Sequence, residues 1–534
     1  MDRSDARGKM PCMQLAPVAE HVARYDLLVV GGGINGCGIA RDAAGRGWSV
    51  LLCEQDDLAA HTSSASTKLI HGGLRYLEQL HFGLVRKALL EREILLASAP
   101  HIMWPLRFVV PYDSHLRPAW LIRAGLLLYD HLAARKRLPA SSAIDLRTHV
   151  AGAALAGAYQ RGFVYSDGWV DDARCVVLNA LDAAERGATI LTGTRCERLE
   201  RRAGLWSATL VEVASGARRQ ILARAVVNAT GPWVAQFLRA ATTVRSTHNV
   251  RLVKGSHIVV PRLFAHRFAY LLQSPDRRVV FALPYERDFT LIGTTDVDHA
   301  GEAAATTATE EEIAYLCAAV QRYFGRPLNA ADVVWSYSGV RPLIDDESSD
   351  AAAVTRDYAL DLDAAVREAP LLSVFGGKIT TYRKLAQDVV DRLGTHLGKR
   401  APRWTAGARL PGGDLPAGSF AVFARAMERR YPWLPAPVRR RYARAYGTRM
   451  QALIEPAGAI ADLGAEVLPG LYEREIEYLR GEEWARTAAD ILWRRRTLGL
   501  HLPPQSAGTL DEWLARHSIE PARRAAVPPG SRRA

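Results

Sequence analysis

The string Gly31-Gly32-Gly33-Ile34-Asn35-Gly36, set directly after the apolar run Tyr25-Asp26-Leu27-Leu28-Val29-Val30, limits the fold of this chain more than any other feature. The run is short and nearly unbroken, as a parallel strand buried on both faces requires. Residues 34–46, with Ala40, Ala43 and Ala44, read as a helix and residues 48–53 as the next strand, which makes a βαβ unit. At that place in a GxGxxG pattern, Gly31 permits the tight turn, Gly33 lets a pyrophosphate approach the backbone, and Gly36 lets the helix pack closely on the sheet. The helix N-terminus then faces the phosphate charge. Glu54 stands just after the second strand, where a carboxylate accepts hydrogen bonds from an adenosine ribose. The pattern predicts a dinucleotide and does not separate FAD from NAD.

Two later strings favour a permanently held FAD. Ala225-Val-Val-Asn-Ala-Thr-Gly231 is an apolar strand ending in Ala-Thr-Gly, able to bring the chain back under the dinucleotide. Phe375-Gly-Gly-Lys-Ile-Thr-Thr-Tyr382 puts glycines and hydroxyls before a helix, so that backbone N–H groups can meet the electron-rich edge of a flavin.

The remaining chain reads as mixed α/β. Residues 84–99 and 120–137 have helical spacing, so 76–149 is expected to be a mostly helical insertion. Sheet-like patterns follow at 188–191, 206–213 and 223–228, and residues 251–260 and 279–293 predict a second, largely antiparallel sheet. Residues 371–375 form a further buried strand, a helix is expected from about 381 to 397, and beyond a Pro- and Gly-rich linker at 411–417 the pattern is helical.

Residues 1–24 carry charges without a continuous apolar run, so no secretory signal is expected and the chain should stay in the cytoplasm. The apolar stretch 116–132 is interrupted by Arg117, Pro118, Arg123 and Asp130 and is too short to span a bilayer. Six scattered cysteines without a CxxC pair predict neither a disulfide framework nor a metal site. The net charge of +13 calls for an anionic partner or none, and six of those charges lie beyond residue 404, where 20 Arg face 14 Asp and Glu. No nucleic-acid module is recognisable, so no nucleic-acid partner is expected. Trp120, Leu121, Ile122, Leu126, Leu127, Leu128 and Tyr129, flanked by Arg117, Arg123, Arg135, Lys136 and Arg137, read either as an interfacial helix or as an ordinary amphipathic helix on its own core. The Arg runs 439–441 and 494–496 read as solvated faces.

The string Thr62-Ser-Ser-Ala-Ser-Thr-Lys-Leu-Ile-His-Gly-Gly-Leu-Arg-Tyr-Leu77 is more specific. Together with residues 31–38, Trp335-Ser-Tyr-Ser-Gly-Val-Arg-Pro-Leu343, Thr355-Arg-Asp-Tyr358 and residues 375–383, it resembles the aerobic, FAD-dependent glycerol-3-phosphate dehydrogenases of bacteria, from about residue 25 to 397 and more loosely beyond. The resemblance implies a fold like glycine and D-amino-acid oxidases. In this chain it would comprise a discontinuous Rossmann-like FAD-binding domain (25–75, 150–245, 335–403) and an α+β substrate cap (76–149, 246–334). A helical C-terminal domain (404–519) would follow, between a flexible N-terminal tail (1–24) and a disordered basic tail (520–534). It further implies oxidation of sn-glycerol 3-phosphate to dihydroxyacetone phosphate by hydride transfer from C2 to flavin. The enzyme would sit on the anionic inner face of the cell membrane and pass electrons to membrane quinone, with a homodimer left open. Oxygen as acceptor, or a flavin carrier without catalysis, are the competing readings. Departures from the family pattern are the longer N-terminus, Cys37 where a small residue is usual, and the basic tail.

Residue by residue, the resemblance implies that Gly31, Gly33, Gly36, Glu54, Thr62, Ser63, Ser64, Lys68, Gly231, Gly377, Thr380 and Thr381 hold the cofactor. It implies that Arg75, Tyr76, Arg341, Arg356 and Lys378 bind the substrate anion, which suits the two-pronged grip of arginine on phosphate. His257, Lys378 and Arg341 are the candidates for the chemistry, because loss of hydride from C2 needs a base or a cation at the C2 hydroxyl. His257, with an ordinary pKa near 6.5, suits a base at neutral pH, and Lys378 suits either a base or an electrostatic clamp. The sequence leaves the division between them open.

Overall fold

The computed structural model describes residues 22–115, 117–246, 248–276, 278–344, 357–365 and 368–517. Residues 1–21 of the expected N-terminal tail (1–24), the expected tail at 520–534, and Arg356 lie outside the described residues, and Arg24 begins a strand.

Leu27, Leu28, Val29 and Val30 are all buried, and they pack alternately into two different cores. That two-sided burial makes Arg24–Val30 the centre of a sheet. The order runs Ala359–Asp363, Leu371–Phe375, Arg218–Asn228, Arg24–Val30, Val50–Cys53, Thr189–Leu191, parallel throughout except for the first strand. Helices Ile34–Gly45, Asp172–Glu185 and Tyr382–Leu397 cover one face, and an antiparallel extension, Thr194–Arg202 with Leu205–Glu212, covers the other. Parallel strands ordered this way bring loops together at their carboxyl ends, where ligands of open α/β sheets bind.

The second sheet has ten strands. Its middle is Val250–Pro261, Phe289–Gly293, Val279–Tyr285, Ala269–Gln273 and Met103–Pro111. Helix Glu310–Gln321 closes one face, and helices Phe82–Ser98 and Ala119–His131 the other.

Three expectations change. The insertion at 76–149 is only partly helical, because Met103–Pro111 and Ser142–Asp145 are strands; Pro105 and Pro111 bar the first from a helix interior. Arg161–Val170, expected beside the dinucleotide, pairs over its whole length with Met103–Pro111. Trp335–Ile344, also expected there, pairs with Val250–Pro261 from end to end. Arg161–Val170 pairs with Met103–Pro111 and Ser142–Asp145, and Trp335–Ile344 with Val250–Pro261, so both belong to the second sheet.

A third core gathers helices Phe420–Arg430, Ala436–Tyr446, Glu473–Glu483 and Ser506–Arg516 around a short hairpin, Glu466–Leu468 with Leu471–Tyr472. It is fastened to the rest by buried charges. Arg174 grips Glu483 through both guanidinium nitrogens, and Arg495 reaches Asp57 at 2.6 and 2.7 Å. The same π-turn, Asp490–Arg495, stacks Trp493 on Trp335 with ring centroids 4.4 Å apart. Losing one member of such a pair would leave a charge buried without compensation.

His101 is fully buried near this junction, and neither ring nitrogen has a hydrogen-bond partner. Burial, and then the charges of Arg174 and Arg444, push its pKa down to about 3. The neutral ring is therefore favoured by folding, and the stability it supports is present above the unfolded value near 6.5 and lost as pH falls below it. We expect His101 to steepen acid destabilisation by up to about 1.4 kcal/mol per pH unit between roughly pH 6 and 4. Melting temperature measured against pH should fall less steeply for His101→Leu than for the native protein, and parallel curves would count against it.

Candidate active site

The glycine motif is dictated first by the chain's own packing. Gly31 has φ +112°, and a Cβ there would lie 2.6 Å from the Ala229 carbonyl oxygen. At Gly36 a Cβ would meet the Gly31 carbonyl oxygen at 1.9 Å. Gly33, by contrast, faces only the Ser63 hydroxyl, 3.0 Å from where a Cβ would stand, and otherwise opens onto a cavity. Ser63 Oγ accepts the Ile34 N–H at 3.0 Å and so satisfies one donor of the helix end.

Glu54 is braced. One oxygen accepts the Gly32 N–H at 2.6 Å and the other the Asp56 N–H at 2.9 Å. Burial pushes its pKa up, and the two backbone donors oppose the rise. Each carboxylate oxygen keeps further lone pairs for a ribose hydroxyl.

Opposite lies the second glycine turn. Gly376 and Gly377 have φ +72° and +101°, and Asn35 donates from Nδ2 to the Gly376 carbonyl at 3.3 Å, so the two glycine loops are tied together. Thr380 Oγ1 accepts the His71 N–H at 3.1 Å.

A single cavity of about 1150 Å³ joins these loops to the second sheet. Its walls include Gly31, Gly33, Glu54, Thr62, Ser63, Gly231, Gly377 and Thr380 on the dinucleotide side, and Arg75, Tyr76, His257, Arg341 and Lys378 on the other. Glycines whose Cβ positions open onto a cavity, a helix N-terminus and a buried carboxylate are what an adenine dinucleotide requires, so the residues fit FAD.

Four expected cofactor residues stand outside the cavity lining: Gly36, Ser64, Lys68 and Thr381. Gly36 is packed against Gly31. Ser64 Oγ donates to the His61 carbonyl. Lys68 has φ +59° and points to a buried ion pair with Asp172 at 2.6 Å. Thr381 ends a short 3₁₀ turn, Ile379–Thr381, with its hydroxyl donating back to the Lys378 carbonyl at 3.5 Å. These residues shape the loops from behind.

His257 and Arg341 come from neighbouring strands in register, Val253 opposite Arg341 and His257 opposite Tyr337. Gly255, two residues along, leaves room for the guanidinium, because a Cβ there would lie 2.0 Å from Arg341 Nη2. His257 stacks on Tyr337 at 4.8 Å and 10°, with Nε2 2.9 Å from Thr67 Oγ1. Burial, then the charges of Arg341 and Lys68, hold its pKa well below the usual value, which corrects the expectation of an ordinary histidine near 6.5. His71, not singled out from the sequence, also lines the cavity, and its pKa is pushed to about 3 by burial and by Lys378 and Arg92. Lys378 Nζ stands 3.7 Å above the Tyr76 ring, a cation–π contact that fixes both.

Sequence reasoning also missed Asp296. It contacts Arg341 directly and lies 3.9 Å from Arg75. Nothing in Gly293-Thr-Thr-Asp296 singles it out, and only the pairing of distant strands brings it to the arginines.

A parallel sheet whose glycine turn opens on a cavity, roofed by an antiparallel sheet bearing cations, defines a class: flavin-dependent oxidoreductases with a substrate cap. The chain belongs to the family described as FAD dependent oxidoreductase, whose model matches residues 26–382. It is 53% identical to a glycerol-3-phosphate dehydrogenase of Pseudomonas aeruginosa over 96% of this chain and 98% of that one. It is 49% identical to a D-erythritol 1-phosphate dehydrogenase of Brucella abortus over 91% and 97%. Among solved structures it is similar to the glycerol-3-phosphate dehydrogenase of Bacillus halodurans complexed with FAD, at 28% identity and a TM-score of 0.75, covering 92% of this chain and 90% of that one.

Proposed function

We propose that the chain oxidises sn-glycerol 3-phosphate to dihydroxyacetone phosphate with FAD as cofactor and membrane quinone as electron acceptor. The observation that carries this reading is the convergence of Arg75, Arg341, Lys378 and neutral His257 on the cavity that the dinucleotide loops also line. A small phosphate monoester needs such a set of fixed cations, and the relatives named for glycerol 3-phosphate support the choice.

When bound, FAD supplies a two-electron acceptor for the hydride leaving C2. The protein's own groups do the rest. Arg75, Tyr76 and Arg341, all in the cavity wall, hold the phosphate. Lys378 keeps positive charge beside the C2 hydroxyl and stabilises its developing alkoxide. His257, its ring fixed by Tyr337 and Thr67, accepts the hydroxyl proton once the bound phosphate offsets the charge of Arg341, which after burial holds its pKa down.

Anaerobic addition of glycerol 3-phosphate to the holoenzyme should bleach the oxidised flavin band near ~450 nm. An unchanged band would leave a flavin carrier without this activity. The Brucella relative supports a second reading, a longer polyol phosphate, since its identity to this chain is close to that of the glycerol-3-phosphate enzyme. Bleaching rates with D-erythritol 1-phosphate beside glycerol 3-phosphate distinguish the two. Peroxide formed in step with substrate loss would favour oxygen over quinone.

For the membrane, no helix among the described residues is long and apolar enough to cross a bilayer. Helix Ala119–His131 instead leaves Trp120 71% and Leu127 50% exposed, and Leu80 beside it 72%. Apolar side chains left on one face next to Lys136 and Arg137 suit the inner face of the cell membrane, with the body of the enzyme in the cytoplasm. Replacing Arg135, Lys136 and Arg137 by Glu, or Trp120 and Leu127 by Ser, should move the protein from sedimented anionic vesicles to the supernatant, at about 1 kcal/mol per surface cation. Undiminished co-sedimentation would place the contact elsewhere.

A further inference from the structure

Asp296 follows the strand Phe289–Gly293 and stands in the same cavity wall as Arg75 and Arg341. One carboxylate oxygen contacts Arg341 Nη1, and the other lies 3.9 Å from Arg75 Nη1. Arg341 Nη2 donates to Thr294 Oγ1 at 2.9 Å and to the Thr295 carbonyl at 3.2 Å, so one turn of three residues grips the guanidinium. The Asp296 side chain is 13% exposed and those of the two arginines are 28 and 29% exposed, so the carboxylate sits deeper than the cations it serves.

Two guanidiniums brought to one cavity repel each other, and a carboxylate between them cancels the repulsion. That carboxylate offers the planar pair of oxygens that a phosphate also offers to an arginine fork. Arg341 gives Asp296 one donor, Nη1, and a phosphate that draws on that donor must share it with the carboxylate.

The geometry points to Asp296 as the resident counter-ion of the substrate site. It holds Arg75 and Arg341 poised for a phosphate monoester, gives up part of its contact with them when the phosphate arrives, and takes it back as the phosphorylated product leaves. A neutral polyol lacks the charge to displace it, so the same carboxylate selects for phosphorylated substrates. This inference rests on the reading above that Arg75 and Arg341 bind the substrate.

The test is Asp296→Asn in the FAD-replete enzyme, with inorganic phosphate as a competitive inhibitor of glycerol 3-phosphate oxidation. Without the competing charge, phosphate should bind roughly tenfold more tightly. KM for glycerol 3-phosphate should fall and kcat should fall with it, because product leaves more slowly. Asp298→Asn removes a carboxylate that pairs with Arg251 at the surface and should leave all three constants unchanged. Weaker phosphate binding and a raised KM in Asp296→Asn would show a mere buttress for Arg341 and overturn the proposal, as would unchanged constants. Should the Asn variant not retain FAD, amide exchange in the native holoenzyme decides: saturating phosphate should speed exchange at residues 294–296, and equal or slower exchange overturns the proposal. If phosphate fails to compete even in the native enzyme, the assignment of the arginines falls and this inference with it, an outcome distinct from the others.

Discussion

Replacing Arg341 by Ala should lower kcat/KM for glycerol 3-phosphate by about 30- to 1,000-fold, equivalent to about 2–4 kcal/mol, while FAD content stays native. The guanidinium lies in the cavity wall across Gly255, not in the glycine loops, so its loss removes a substrate contact and spares the cofactor site. The loss has two parts. A charge-assisted partner of the substrate disappears, and Asp296 remains in the cavity wall with one of its two cations gone, now facing a dianion. Arg341→Lys restores charge without the planar fork and should recover only part of the efficiency. Glycerol, which has no phosphate, should be a very poor substrate of the native enzyme and should lose less in the Ala variant. Steady-state kinetics on flavin-replete forms with both substrates measure this, and near-native efficiency in Arg341→Ala would move the substrate's anion site elsewhere.

Gly36→Ala should abolish flavin loading. The added Cβ would stand 1.9 Å from the Gly31 carbonyl oxygen and 3.0 Å from its carbon, and both atoms belong to the turn that the cofactor must approach. Backbone cannot rotate aside as a side chain can, so the helix must slide from the sheet, at a cost of about 1–3 kcal/mol or more. Gly33→Ala should be milder, because only the Ser63 hydroxyl is in the way, whereas Gly33→Val fills the space that a pyrophosphate needs. Purified variants compared for FAD-to-protein ratio and melting temperature test the ranking. A Gly36→Ala protein with stoichiometric FAD would refute the packing argument.

The cofactor half of the site was legible in the sequence because its requirements are local. A strand, three glycines, a helix and a carboxylate fall within thirty residues, in an order and spacing that can be read before the chain folds. Residues 161–170 and 335–344 fall within the bounds that the resemblance implies for the FAD-binding domain, and their place in the second sheet shows only in their pairing with Met103–Pro111 and Val250–Pro261. The resemblance implies that Lys68 holds the cofactor, but Asp172, over a hundred residues on, takes its charge in a buried ion pair. His257 was recognisable as a candidate, yet its depressed pKa comes from burial and from Arg341, which only the folded chain supplies. Asp296 carried no local signal at all.

The order of strands in the first sheet also sets a schedule for synthesis. Arg24–Val30 and Val50–Cys53 emerge early, but Arg24–Val30 must wait for Arg218–Asn228 on one side, and that strand waits for Leu371–Phe375. The loop Gly376-Gly377, which closes the cofactor's cradle, follows immediately. At about 5–20 residues per second, roughly 20–75 s pass on the ribosome before the dinucleotide site can be complete. Until Arg218–Asn228 has emerged, the apolar edge of Arg24–Val30 is exposed to chaperones and to neighbouring nascent chains, and FAD cannot rescue it. The supply of flavin should therefore govern how much finished enzyme survives, while having little leverage over how much of the growing chain is lost.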